Sequence, residues 1–159
     1  VYPVTLGFEE ALRRIESLRT NGHKAEALVT TVFTFEKTVK RSLKCMAIRR
    51  GFTSAHADIL FSNAGFKNLQ EFWPAFDPRG ESLSKMLGNS IWQHVPAAVT
   101  MRNKLAHGER VYNLADCEKQ THLVMAALQA LRAELTTRIG FDGWSRLPVR
   151  RKSALQWLG

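Results

Sequence analysis

Arg102, Asn103 and His107 are the residues of this chain whose types and spacing come closest to a reaction centre; they lie in the segment Met101-Arg102-Asn103-Lys104-Leu105-Ala106-His107-Gly108-Glu109. On a helix turning about 100° per residue, Asn103 and His107 are four apart and nearly stacked, with Arg102 about 140° around from His107. A long arginine side chain closes part of that gap, and a bend toward Gly108 closes more. An imidazole exchanges protons near neutral pH, a guanidinium holds a phosphate with a planar fork of donors, and an asparagine amide orients either. The set therefore reads as a site for one anion whose chemistry is proton transfer. A plainer reading stands beside it. Arg102 pairs with Glu109 or with an acid on a neighbouring helix, and His107 sits favourably at the negative end of its own helix.

The elements that position these residues follow from the apolar spacing. Ile91 to His107 reads as a helix that Pro96 either kinks or restarts, closed by Gly108. Asn113 caps the next helix with Asp116 in its first turn, and Cys117, Thr121, Val124, Leu128, Leu131 and Leu135 carry a three-and-four step to Gly140. Upstream, Leu6 to Arg19 is an amphipathic helix through Phe8, Leu12, Ile15 and Leu18, ended by Asn21 and Gly22. Lys24 to Arg50 is a second, through Ala25, Leu28, Val32, Phe35, Val39 and Met46, with Ser42 breaking the apolar step and Gly51 stopping it. Between Gly51 and the motif helix, 55–63, 68–76 and 83–87 read as short helices, with Phe72, Trp73 and Phe76 as core and Asp77-Pro78-Arg79-Gly80 as a turn. Trp92 and the Phe33, Phe35 pair are also expected in the core. No alternating β-branched run interrupts this pattern, so the chain reads as all-α.

Composition sets the limits. The chain has 159 residues, 45% of them hydrophobic, which suffices for one domain with a real core and argues against disorder. We expect the helical domain over 1–140 and a basic tail over 141–159, either docked as an arm or solvated. No apolar run approaches the roughly 18 residues of a spanning helix, and no leader pattern opens the chain. Cys45 and Cys117 lie far apart, with no CxxC and no zinc spacing; His23, His56, His94 and His122 are scattered. The expectation is a reduced, cytoplasmic protein with no metal, no cofactor and no membrane partner. Because the sequence opens on Val1, a short preceding piece is expected to be missing.

The formal charge is +9, from 23 Lys and Arg against 14 Asp and Glu, which favours a polyanionic partner, nucleic acid above all. Lys37, Lys40, Arg41 and Lys44 recur at helical spacing, with Arg49 and Arg50 beyond, and are expected on the solvent side of their helix, following a phosphate backbone or simply solvated. Lys104 and Arg110 flank the motif and steer RNA on the same reading, or are ordinary charges near a helix end. Arg146, Arg150, Arg151 and Lys152 form a further basic patch, with Trp157 nearby as a stacking platform or as packing.

Arg102-Asn103, three residues, His107 and Gly108, preceded by a helix and followed by a long one, resemble the R-N-x-x-x-H motif of HEPN domains, the higher eukaryotes and prokaryotes nucleotide-binding superfamily. The direct match covers 102–108. The resemblance implies an up-and-down bundle of about five main helices. It also implies a two-fold dimer that places two motif copies in one cleft. It further implies a metal-independent endoribonuclease of toxin–antitoxin or antiviral-defence type, leaving a 2',3'-cyclic phosphate and a 5'-hydroxyl. His107 would be the general acid or base, Arg102 the phosphate ligand and Asn103 the orienting group. In members switched off by modification of a tyrosine two residues after the histidine, that position corresponds here to Glu109, so this control is not implied, while another antitoxin or defence partner is compatible. The rival expectation is a non-catalytic HEPN-like module that binds RNA or nucleotides or holds a larger assembly together.

Overall fold

A three-and-four apolar step produces a helix with one dry face, and the computed structural model, which describes residues 7–156, is built from such helices. In chain order these are α1 (Phe8–Thr20), α2 (Lys24–Arg49), α3 (Ser54–Phe61), α4 (Phe66–Phe76), α5 (Leu83–Leu87), α6 (Asn89–Trp92), α7 (His94–Ala106) and α8 (Leu114–Ile139). Among the described residues there is no strand, and no helix is long and apolar enough to cross a membrane. Leu6, Trp157 and Leu158 lie outside the described residues.

The chain packs as two compact units that share the two long helices. One comprises residues up to Phe35 together with Leu87–Ala130, the other Glu36–Met86 together with the residues from Leu131 on. In the first unit Phe8, Ala11 and Ile15 of α1, Leu28, Val32 and Phe35 of α2, Val95 and Ala98 of α7, and Cys117, Val124 and Leu128 of α8 are buried. Phe33 departs from the expected core pair: it is 59% exposed, because two positions before Phe35 on a helix points some 200° away from it. Trp92 is only half-buried. Buried hydroxyls are satisfied within their own helices, Thr31 Oγ1 donating to the Ala27 carbonyl at 2.7 Å and Thr121 Oγ1 to the Cys117 carbonyl at 2.8 Å. The side chain of Asn113 accepts the Asp116 N–H at 2.8 Å, the N-cap expected at the start of α8.

In the second unit Val39, Leu43 and Met46 of α2, Phe61 of α3, Leu69 and Trp73 of α4, Leu83 and Met86 of α5, and Leu131 and Leu135 of α8 form the core. Phe61 meets Phe72 and Phe76 edge-on, with ring centroids 5.7 and 5.5 Å away. Ser42 interrupts the apolar pattern without leaving a buried hydroxyl unpaired, since it donates to the Thr38 carbonyl at 2.7 Å. Residues beyond α8 pack against this part of α2. Phe141 is buried, Trp144 Nε1 donates to Thr38 Oγ1 at 2.9 Å, and Arg150 Nε donates to the Ile48 carbonyl at 3.0 Å.

Gly143 is what lets the chain come so close. Its φ is +86°, and a Cβ there would lie 2.6 Å from Thr38 Cγ2. Gly143→Ala adds a left-handed backbone penalty of about 1–2 kcal/mol and overpacking of about 1–3 kcal/mol. The expected loss of roughly 2–5 kcal/mol would appear as a lower urea midpoint at unchanged slope. A midpoint equal to that of the wild type would refute the close approach.

Candidate functional site

The end of α7 is a Schellman motif. The Glu109 N–H donates to the Lys104 carbonyl at 2.9 Å and the Gly108 N–H to the Leu105 carbonyl at 3.2 Å, with Gly108 at φ +65°. This places His107 at the C-cap, with φ −91° and its N–H on the Asn103 carbonyl at 3.0 Å. The helix therefore ends one residue before the histidine, whereas the spacing had included it. Pro96 falls in the first turn of α7, where its missing N–H costs no helical bond, so it restarts the helix after the short α6.

On this frame Arg102 Nε donates to Asn103 Oδ1 at 2.8 Å. The asparagine thus holds one edge of the guanidinium through its side chain and receives the histidine N–H through its main chain. Asn103 and His107 are exposed and Arg102 half-buried; among the described residues no hydrogen bond is made by the His107 ring. The arrangement offers a proton carrier and an anchored cation at one solvent-facing helix end. Lys104 is half-buried and Arg110 exposed, the latter with its guanidinium 4.8 Å from the centre of the Tyr112 ring.

A shallow groove of about 510 Å³ adjoins the motif within the same unit, lined by Ala25, Glu26, Val29 and Thr30 of α2 and by Leu105 and Ala106 of α7. Phe33 stands one turn beyond Val29, and Val111 and Leu114 are exposed on the loop and helix that follow the motif.

The stripe on α2 differs from its sequence reading. Lys37, Lys40, Arg41 and Lys44 are all half-buried and engaged inside the second unit. Lys37 Nζ sits 5.0 Å over the Trp144 ring, and burial, with Arg41 beside it, lowers its pKa. Lys40 donates to the Ser62 carbonyl at 3.1 Å, and Lys44 pairs with Asp58 at 2.9 Å. Arg41 donates to the carbonyls of Gly143 and Ser145 at 3.0 and 2.6 Å, and burial pulls its pKa down despite the nearby Asp142. These cations fasten neighbouring segments to α2, so the expected open stripe is not what they form.

Two features lay outside the sequence reading. Asp77, marked only as a turn residue, is buried with Arg138 Nη1 at 3.2 Å, and Arg138 also meets Glu81 at 2.7 Å and Glu134 at 3.3 Å. The hydrogen bond from Arg138 holds the Glu81 carboxyl below its ordinary pKa. The second is a cleft of about 440 Å³ lined by Met46, Arg49, Arg50, Phe76, Pro78, Arg138 and Ile139. The sequence had marked Asp77-Pro78 as a turn, Arg49 and Arg50 as basic positions and Phe76 as core, but not that they meet, because the partners are scattered over the chain. Among the described residues no group of three or more His, Cys, Asp or Glu could hold a metal ion. No protein-family model, curated protein or solved structure matches the chain.

Proposed function

We propose that the protein is a HEPN-like, metal-independent endoribonuclease acting as a homodimer, in a toxin–antitoxin or antiviral-defence setting. The observation that carries this reading is the end of α7, where Asn103 joins an anchored Arg102 to an exposed His107. An RNA strand brings its own nucleophile. His107 takes the proton of a ribose 2'-hydroxyl, the 2'-oxygen bonds to phosphorus, and the bond from phosphorus to the 5'-oxygen breaks. The leaving oxygen needs a proton in the same event, and His107 of a second copy supplies it. Arg102 holds the phosphate and offsets the charge that grows on its oxygens. The products are a 2',3'-cyclic phosphate and a 5'-hydroxyl.

The apolar groove beside the motif supports the dimer. Val29, Phe33 and Leu105 would leave water when a second copy covers them, bringing two histidines to one phosphate. The test is to incubate purified protein with total RNA in EDTA and to analyse the ends and the oligomeric state. Cleavage in EDTA leaving cyclic phosphates, by a dimer, is the expected result. A protein that stays monomeric at micromolar concentration, or binds RNA without cutting it, would replace this reading with that of a binding module.

A further inference from the structure

The positive charge of the chain is divided unevenly. The second unit carries 15 Lys and Arg against 7 Asp and Glu, so +8 of the total +9 resides there, while the unit that holds the motif is almost neutral at 8 against 7. Much of that charge is used internally, as at Lys40, Arg41, Lys44 and Arg138. Of the cations that stay exposed in this unit, Lys67, Arg79, Lys85 and Arg146 are spread along the chain, and four others belong to the end of α2 and the segment bonded to it. Arg49 and Arg50 are both exposed there, and the segment after α8 returns beside them, the Ala154 N–H donating to the Gly51 carbonyl at 2.9 Å and the Ser54 N–H to the Arg150 carbonyl at 2.9 Å. Exposed Arg151 and Lys152 lie between these two anchor points.

The same place holds the 440 Å³ cleft, with Arg49 and Arg50 on its wall and Met46, Phe76, Pro78 and Ile139 as its apolar lining. Phe76 is fixed by edge contacts with Phe52 and Phe61, at centroid distances of 6.1 and 5.5 Å. Both arginines are anchored: Arg49 donates to the Ile139 carbonyl, and Arg50 to the Phe76 carbonyl at 3.2 Å. Each guanidinium has five donors, so one carbonyl leaves most of the fork for a ligand. Capping helix carbonyls alone explains neither the apolar lining that the cleft has beside the arginines nor the two further exposed cations on the segment bonded to Gly51 and Ser54. Anchored cations beside a cleft that an aromatic ring helps to line are what a single strand needs: charge for its phosphates and an apolar, aromatic surface for an unstacked base.

We propose that this face of the second unit binds single-stranded RNA, seating one base in the cleft against Phe76 with the flanking phosphates on Arg49, Arg50, Arg151 and Lys152. The identity of the polyanion as RNA rests on the proposed function; the face itself rests on the charge and the cleft. The test uses the full-length His107→Ala protein, which holds the strand uncut, and the anisotropy of a labelled oligouridine across a salt series.

Arg49→Gln/Arg50→Gln in that background should weaken binding about tenfold and reduce the salt slope by about 1.4, since each single-strand phosphate contact contributes about 0.7. Should this pair disturb helix ends, Arg151→Gln/Lys152→Gln alters only exposed side chains and is expected to act in the same direction. An abasic strand of equal length should bind at least about fivefold more weakly than oligouridine. Unchanged affinity and slope in both pairs, or equal binding of the abasic strand, would overturn the proposal. Because binding is read without cleavage, a wild-type protein that cuts nothing would sink the nuclease reading and leave this result standing.

Discussion

His107→Ala is expected to slow RNA cleavage by about 10²- to 10⁴-fold under single-turnover conditions, the range that one positioned acid or base contributes. The same change should leave stability within about 0.5 kcal/mol of wild type, because the ring is exposed and His107 holds its place through main-chain bonds. RNA affinity should also stay nearly constant. The combination separates chemistry from folding: a variant with the wild-type melting curve and wild-type affinity but no turnover has lost only the proton carrier. Arg102→Lys sharpens the assignment. It keeps the charge but loses both the planar fork and the Nε bond to Asn103 Oδ1, so turnover should fall while the salt dependence of binding stays as it was. Equal cleavage by wild type and His107→Ala would remove the motif from the reaction altogether.

The parts of the fold that were readable from sequence are those decided within a few residues. The α8 step of Cys117, Thr121, Val124, Leu128, Leu131 and Leu135 is buried at every position, and Asn113 caps that helix as its residue type predicts. Gly108 was readable as a stop, although periodicity could not tell that His107 itself lies at the cap; the Gly108 and Glu109 N–H bonds decide that. What escaped was set by contacts far along the chain. Lys37 and Arg41 carry the pattern of a solvated face, yet their partners are Trp144 and the carbonyls of 143–145, about a hundred residues away. Local spacing holds no information about such a partner. Phe33 shows the converse: its type says core, its angular position on α2 says surface, and the position prevails. For the site, sequence supplied the three side chains and their order. That the Asn103 side chain accepts from Arg102 Nε, while its main-chain carbonyl accepts the His107 N–H, became visible only in the structure.

Arg138→Met should be the most damaging single change outside the motif, at about 3–5 kcal/mol, the cost of breaking a buried ion pair by removing one partner. Arg138 is 5% exposed and Asp77 1%, so water cannot replace what is lost. Nη1 of Arg138 meets both oxygens of Asp77 at 3.2 Å, Nη2 meets Glu81 at 2.7 Å, and Nε meets Glu134 at 3.3 Å. Burial alone would disfavour the guanidinium charge, but the three carboxylates outweigh it and raise the Arg138 pKa above its ordinary value. Methionine fills much of the same volume, which removes the cavity term and leaves the electrostatic one. Asp77 then keeps the Arg79 and Glu81 N–H bonds, at 3.1 and 2.9 Å, as its remaining support, enough to hold the turn but not to neutralise its charge. A second substitution therefore partly rescues the first: Asp77→Asn in the Arg138→Met protein removes the uncompensated charge while its amide oxygen still accepts from the turn. Urea denaturation of the two single variants and the double variant closes the cycle. The double variant is expected to be more stable than Arg138→Met alone. A double variant that loses the sum of both single effects would mean that Arg138 acts through Glu81 and Glu134 rather than through Asp77.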